Sequence, residues 1–243
     1  MAKNITPYKS EDTGKKEQVT KMFDNIAGGY DFLNRLLSAR FDVSWRNKLT
    51  ALILAKKPEY IMDMATGTAD VAITLAEKSP SVKVKGIDIS KNMLKIGQKK
   101  VDKKQFSDRI TLQWGDAENI KEEDATFDIT TASFGVRNFE DLKAGLKEMY
   151  RVTRPGGHIF VLEFSKPNIF PLKQLYNFYF QKILPVIGRL RSKDPKAYTY
   201  LYESVQAFPD RKNFLGILQE IGFNDVGLKE LTWGICHIYY GKK

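Results

Sequence analysis

The stretch that most constrains the fold is Y-I-M-D-M-A-T-G-T-A-D at residues 60–70, answered by G-I-D-I-S at residues 86–90. An apolar run ends in Asp63, passes through small residues around Gly67 and opens into helical spacing at Val71 and Leu75, while a second apolar run ends in Asp88. A strand, a tight turn, a helix and a second strand ending in an acid are the parts of a nucleoside-binding half-domain. The turn lets backbone N–H groups approach a ligand, and the second acid can accept hydrogen bonds from both hydroxyls of a ribose.

The turn also discriminates among cofactors. A dinucleotide site needs G-x-G-x-x-G to seat a pyrophosphate on the helix N-terminus, and here Gly67 stands alone among Thr66, Thr68 and Ala69. A cofactor with an amino-acid tail and no phosphate, S-adenosylmethionine, needs only close backbone approach and polar side chains. Asp63 and Thr68 supply these.

Strand-like runs at 60–63, 82–88, 110–114, 127–134 and 159–164 alternate with helical spacing near 71–77, 92–104 and 142–152, the last closed by Arg154-Pro155-Gly156-Gly157. Strands separated by such helices imply a parallel sheet. Runs at 225–231 and 235–240, joined around Trp233-Gly234, predict a closing hairpin. Before the first strand, Val19, Met22, Phe23, Ile26 and Tyr30 form a helical stripe that continues through Phe32, Leu33, Leu36 and Leu37, with a bend at Gly28-Gly29. Residues 45–56 read as the helix leading into the first strand. The expected organisation is a mobile stretch at 1–14 and one domain at 15–243. That domain divides into a helical lid over the cofactor edge (15–56), a cofactor-binding core (57–166), a helical insertion (167–208) and a final helix and hairpin (209–243).

Composition narrows the class. A single cysteine, Cys236, rules out an internal disulfide and fits a reducing compartment. His158 and His237 lie far apart in strand-like runs and read as structural, so no metal is expected. The polar N-terminus shows no signal peptide, and no run is long enough to span a membrane. A net charge of +10 points to polyanions, either nucleic acid or an anionic membrane surface. The insertion holds nine of the 29 aromatic residues, and six basic residues against two acids. Such density either packs helices onto the sheet or builds an apolar channel with a basic rim for a greasy substrate.

The chain resembles the UbiE/MenG family of quinone-biosynthesis C-methyltransferases, within the class I S-adenosylmethionine-dependent methyltransferases. The resemblance rests on M-F-D-N-I-A-G-G-Y-D-F-L-N (22–34), D-M-A-T-G-T-A-D (63–70), G-I-D-I-S-K-N-M-L (86–94), G-D-A-E (115–118), S-F-G-V-R-N (133–138), M-Y-R-V-T-R-P-G-G (149–157) and L-E-F-S-K-P (162–167). It implies an α/β, Rossmann-like fold with a mostly parallel seven-stranded sheet and an antiparallel last strand. By position it places cofactor contacts at Thr68, at Asp88 for the ribose, at Asp116 and Ala117 near the adenine, and at Ser133, beside Asp63 and Gly67 from the turn itself. The purely structural reading of Asp116 is an N-cap on a short helix starting near Ala117. Thr66 and Ala69 depart from the family's more glycine-rich turn, and Asp42 stands where the family commonly has a histidine ahead of Trp45-Arg46.

The implied reaction is C-methylation of a polyprenyl hydroquinone, demethylmenaquinol in the first place, with the benzoquinol precursor of ubiquinone as the alternative. Arg137 is the candidate for stabilising a quinol oxyanion and Asn138 for orienting the ring; as a structural residue Arg137 would cap a helix or pair with Glu140 or Asp141. The base is open among Tyr30, Asp31 and an ordered water. The expected partners are the quinol and an anionic membrane surface, in a cytoplasmic protein peripheral at the inner face of the membrane. A nucleic-acid methyltransferase is disfavoured. Ser133-Phe134-Gly135 replaces the Asn/Asp-Pro-Pro-aromatic motif of adenine-N6 enzymes, and Cys236 is misplaced for cytosine-C5 chemistry.

Overall fold

A computed structural model describes residues 5–38, 40–179, 182, 194 and 196–243. Residues 1–4 and most of 180–193, including Phe180 of the predicted insertion, lie outside the described residues. The N-terminal stripe folds as α1 (Lys15–Ile26) and α2 (Tyr30–Leu37), separated by a 3₁₀ turn at Ala27–Gly29, where Gly28-Gly29 predicted the bend. α3 (Phe41–Leu54) begins four residues before its predicted start, after Arg40 in the left-handed region (φ 65°).

The alternating segment forms β1 (Tyr60–Met64), α4 (Asp70–Lys78), β2 (Lys83–Asp88), α5 (Lys91–Lys103), β3 (Ile110–Trp114), β4 (Phe127–Ser133), α6 (Leu142–Val152) and β5 (Thr153–Phe164). Ser90 caps α5 by accepting from the Met93 amide, and Asp141 caps α6 by accepting from Lys143 and Ala144. β5 starts six residues earlier than its apolar run. Arg154-Pro155-Gly156-Gly157, expected as a closing turn, is drawn into the sheet: the register shifts between Phe127 and Ile129, and the Gly156 amide donates to the carbonyl of Lys243.

α7 (Leu172–Phe178), α8 (Lys196–Ala207) and α9 (Lys212–Ile221) precede the hairpin of β6 (Asn224–Leu231) and β7 (Cys236–Lys242). The seven strands lie in the order β3-β2-β1-β4-β5-β7-β6, all parallel except β7, which runs antiparallel to both neighbours. One face buries Leu49, Ile53, Val71 and Leu75 from α3 and α4, and the other buries Leu146, Met149, Phe214 and Leu218 from α6 and α9. Both faces are therefore covered, as a parallel sheet requires.

Residues 5–14, expected to be mobile, are tied down. The Tyr8 side chain is buried, its amide donates to Gln18 Oε1 and its hydroxyl to Asp194, while Lys9 pairs with Glu203 on α8. Among the described residues no helix is long and apolar enough to cross a membrane.

Candidate active site

The C-terminal ends of β1, β2 and β4 meet at one edge of the sheet, where open α/β sheets bind ligands. In the turn after β1, Ala65 (φ 51°), Gly67 (φ 57°) and Ala69 (φ 63°) alternate into the left-handed region. Such alternation turns successive N–H groups toward a common side. Glycine suits this at 67, where an added Cβ would meet nothing within 4 Å; the alanines carry a steric cost of about 1–2 kcal/mol each. The Gly67 amide donates to Asp88 Oδ2 (2.8 Å) and the Ser90 amide to Asp88 Oδ1 (2.8 Å), so the tip of β2 is tied to the turn. Burial pushes the Asp88 carboxyl up to about 6 against these amide bonds.

Two cavities adjoin here. A cleft of mixed character is lined by Gly67, Asp88, Asp116, Ala117 and Ser133 and by apolar Ile87, Met93 and Phe139, with Lys16 of α1 across it. An apolar chamber of about 350 Å³ is lined by Phe41, Trp45, Phe164, Leu175, Tyr179 and Trp233, among others, with Arg137 in its wall. Phe23, Tyr30, Phe134 and Asn138 line both. The Ser133 hydroxyl and Asn138 Oδ1 are buried with no hydrogen-bond partner among the described residues. Gly135 permits the β4 turn to approach the β1 turn, because a Cβ there would lie 2.5 Å from Ala65 Cβ.

Of the residues singled out in the sequence, Asp63 and Thr68 line neither cavity. Asp63 lies buried beneath the turn, accepting from the Thr66 hydroxyl (2.6 Å), and burial pushes its carboxyl up to about 7. Thr68 donates to Asp31 Oδ1 (2.6 Å) and accepts from Lys100. Both shape the turn from behind. Asp116 caps no helix: its Oδ1 accepts from the Glu118 amide in a local turn, and its Oδ2 pairs with Lys16 (2.7 Å).

Three contacts hold α1 and α2 over the cleft. Lys16 reaches Asp116 and Glu118, Asp24 accepts from the Ser90 hydroxyl and the Asn92 amide, and Asp31 accepts from Thr68 and Lys100. Burial opposes ionisation of Asp31, yet the Thr68 hydroxyl and the Lys100 ammonium hold its pKa below the usual carboxylate value. Asp31 lines neither cavity, whereas Tyr30 lines both. Burial raises the Tyr30 phenol, with Arg137 and Arg46 pulling the other way.

The Arg137 guanidinium pairs with Glu163 of β5, not with Glu140 or Asp141. Its Nη1 donates to Glu163 Oε1 (2.6 Å) and to the Phe134 carbonyl (2.5 Å), and it lies 5.5 Å from the Phe164 ring centroid. Its Nε is buried without a partner among the described residues. Burial raises the Glu163 pKa and Arg137 lowers it. The two histidines line neither cavity: His158 stacks on Phe160, and His237 is buried on β7 beside Glu230.

The pattern that describes the ubiE/COQ5 methyltransferase family matches residues 11–243, nearly the whole of this architecture. The chain belongs to that family. It is 43% identical to the demethylmenaquinone methyltransferase of Bacteroides fragilis, covering 98% of this chain and 97% of that one. It is 45% identical to the ubiquinone/menaquinone biosynthesis C-methyltransferase UbiE of Geotalea daltonii, covering 95% and 98%. Among solved structures, the fold matches a SAM-dependent methyltransferase from Thermotoga maritima, described as a possible histamine N-methyltransferase, with a TM-score of 0.66 at 18% identity over 92% of this chain and 98% of that one. It also matches the [4+2]-cyclase SpnF, with a TM-score of 0.62 at 14% identity over 95% and 97%. These two likenesses carry the fold alone.

Within this methyltransferase, Asp42, the departure from the family's histidine, is accounted for locally. It accepts from Ser38 Oγ (2.6 Å) and pairs with Arg46 (2.6 Å), so the carboxylate in the chamber wall is neutralised by a cation one helical turn on. Sequence reasoning missed Glu163 and Lys16. An acid inside the apolar run of β5 was the available signal for Glu163; Lys16 on a polar helix face offered none.

Proposed function

We propose that this chain catalyses S-adenosylmethionine-dependent C-methylation of a polyprenyl hydroquinone, demethylmenaquinol in the first place, at the inner face of a membrane. The observation that carries the proposal is the pair of adjoining cavities, a cleft containing Asp88 and an apolar chamber with Arg137 in its wall, which share Tyr30 and Asn138. The relatives named demethylmenaquinone methyltransferase support the naphthoquinol as acceptor, while those named for both quinones are consistent with either ring. The benzoquinol precursor of ubiquinone remains the second substrate to be tried.

S-adenosylmethionine supplies, when bound, a methyl group on a sulfonium that is already activated for transfer. The cleft fits it. Each Asp88 oxygen accepts one protein amide and keeps capacity for a ribose hydroxyl, Asp116 and Ala117 flank the place for an adenine, and the unpartnered Ser133 hydroxyl and Asn138 Oδ1 are acceptors for a cationic end. Arg137 stabilises the negative charge that develops on a quinol oxygen as the neighbouring ring carbon becomes nucleophilic. Asn138, on the shared wall, orients the ring, and the α1–α2 segment acts as a lid that excludes water. With Asp31 off both linings and the Tyr30 phenol protonated at neutral pH, a water ordered against Tyr30 is the proton acceptor we infer.

The chamber mouth supports the membrane reading. Leu175 (61% exposed) and Trp233 (68%) line the chamber while facing solvent, and Phe170 and Phe178 are exposed beside them. An exposed apolar rim on a chain of net charge +10 suits an anionic bilayer that delivers a prenylated substrate. The test is anaerobic incubation of the purified protein with methyl-labelled S-adenosylmethionine and, separately, a short-chain demethylmenaquinol, the benzoquinol and bulk RNA. Label on a naphthoquinol ring carbon is expected; label on RNA alone would overturn the proposal.

A further inference from the structure

The chamber holds a polar group that the proposed chemistry does not yet use. Tyr200 projects from α8, which packs against the Val136–Asn138 turn, and it lines the chamber together with Arg137. Its side chain is 3% exposed and its hydroxyl makes no hydrogen bond among the described residues. A phenol withdrawn from bulk water without a protein partner needs a water or a ligand to complete its hydrogen bond. Burial raises the Tyr200 pKa, with Arg137 lowering it and Glu163 raising it.

Two other polar groups on the chamber wall are already engaged. Asp42 is held by Ser38 and Arg46, and the Thr232 hydroxyl accepts from the Trp45 indole N–H. Arg137 Nε is a buried donor on the Val136–Asn138 turn, also without an acceptor among the described residues. Beside Asn138 Oδ1, already assigned to the cofactor, the chamber offers unmatched polar positions on two elements, Arg137 Nε and the Tyr200 hydroxyl, in a wall dominated by aromatic and aliphatic side chains. A ring with oxygens at opposite ends matches that distribution; a ring with one oxygen leaves one position unmatched.

We propose that Tyr200 is a substrate-binding residue whose hydroxyl pairs with the quinol oxygen remote from Arg137, so that the two oxygens of a para-diol are read by two separate elements. The inference rests on the quinol reading above and deepens it. Because naphthoquinols and benzoquinols both carry the para pair, Tyr200 selects diols over monophenols without selecting ring size.

The test compares Tyr200→Phe with the wild type by anaerobic calorimetry in the presence of S-adenosylhomocysteine. The probes are 2-geranyl-1,4-dihydroxynaphthalene and 3-geranyl-1-naphthol, which keeps the hydroxyl beside the carbon to be methylated and lacks the one beside the tail. Loss of one hydrogen bond should weaken the diol about tenfold and leave the naphthol within about twofold. The ligand-free variant should melt at or above the wild-type temperature, because it no longer buries an unpaired hydroxyl. Equal effects on both probes, no effect on either, or a lower melting temperature would each overturn the role. If wild-type protein takes up neither probe, the quinol reading itself falls, and the role of Tyr200 falls with it.

Discussion

Arg137 and Glu163 form an ion pair of 2.6 Å whose side chains are 7% and 0% exposed. The acid comes from β5 and the base from the turn after β4, so the pair ties two adjacent strand ends together at the chamber wall. Glu163 also accepts from the Arg137 and Phe164 amides. A charge so placed fixes the guanidinium and neutralises it in the chamber wall.

Removing one member leaves the other buried and unpaired. Arg137→Met should therefore cost about 3–5 kcal/mol of stability and lower kcat by on the order of 10², the scale of one oxyanion donor. The Arg137→Met, Glu163→Met double variant separates these effects. Denaturant unfolding should show most of the stability restored, while kcat stays low. A double variant with wild-type turnover would mean that the pair is structural only.

That pair also marks how far the sequence could be read. The fold was legible because each strand run ended at a turn signal and each helix had its own apolar spacing; β1, β3, α6 and the order of elements follow from local pattern. β5 was misjudged at its start because Pro155 and Gly156 signal a turn locally, and only pairing with β4 and the chain end draws them into the sheet. Asp88, Asp116, Ser133, Arg137 and Asn138, singled out because they lie at or just after strand ends in fixed motifs, line the two cavities. Whether a polar residue lines a cavity or props the turn from behind depends on three-dimensional packing, and this separates Asp88 from Asp63 and Thr68. Lys16 and Tyr200 reach the site across about a hundred residues or from a separate helix, beyond any local spacing rule.

Asp88 in the cleft and Asp63 beneath the turn give opposite pH trends for stability and binding. Asp88 titrates at about 6 and Asp63 at about 7, each above its ordinary value of 3.8. The folded state keeps these protons where the unfolded chain has lost them, so their stabilising contribution is full below about pH 4 and is lost as pH rises through 6 to 7. Ribose hydroxyls bond best to the ionised carboxylate, so S-adenosylmethionine affinity should rise through pH 6 and level off. Calorimetry from pH 5 to 8 tests this, with Asp88→Asn flattening the curve and Asp88→Ala weakening binding by about 1.5–3 kcal/mol at pH 8. A flat wild-type curve would sink the ribose assignment.

The lid residues Tyr30 and Asp31, adjacent in sequence, should behave differently. Asp31 is bound to Thr68 and Lys100 away from both cavities, so Asp31→Asn should leave kcat within about threefold and cost about 1 kcal/mol of stability. Tyr30 faces both cavities, so Tyr30→Phe should lower kcat by about 10² if its hydroxyl orders the proton-accepting water, with stability nearly unchanged. Steady-state rates with saturating cofactor decide the matter; the reverse ranking would return Asp31 as the base.

The chamber mouth makes the last prediction. Phe178 is 59% exposed at the end of α7, next to Tyr179 of the chamber lining, so its ring contributes little to the core. Phe178→Asp should therefore change the melting temperature very little. It places a charge where a prenyl chain and the acyl region of a bilayer are proposed to meet, and anionic lipid repels that charge. Co-sedimentation with vesicles of phosphatidylglycerol and phosphatidylethanolamine should fall severalfold relative to the wild type, and KM for a long-tailed quinol in those vesicles should rise far more than KM for a tail-less analogue in solution. Equal changes in both KM values, with vesicle binding intact, would assign the insertion's aromatic residues to packing on the sheet and remove the membrane from the proposed function.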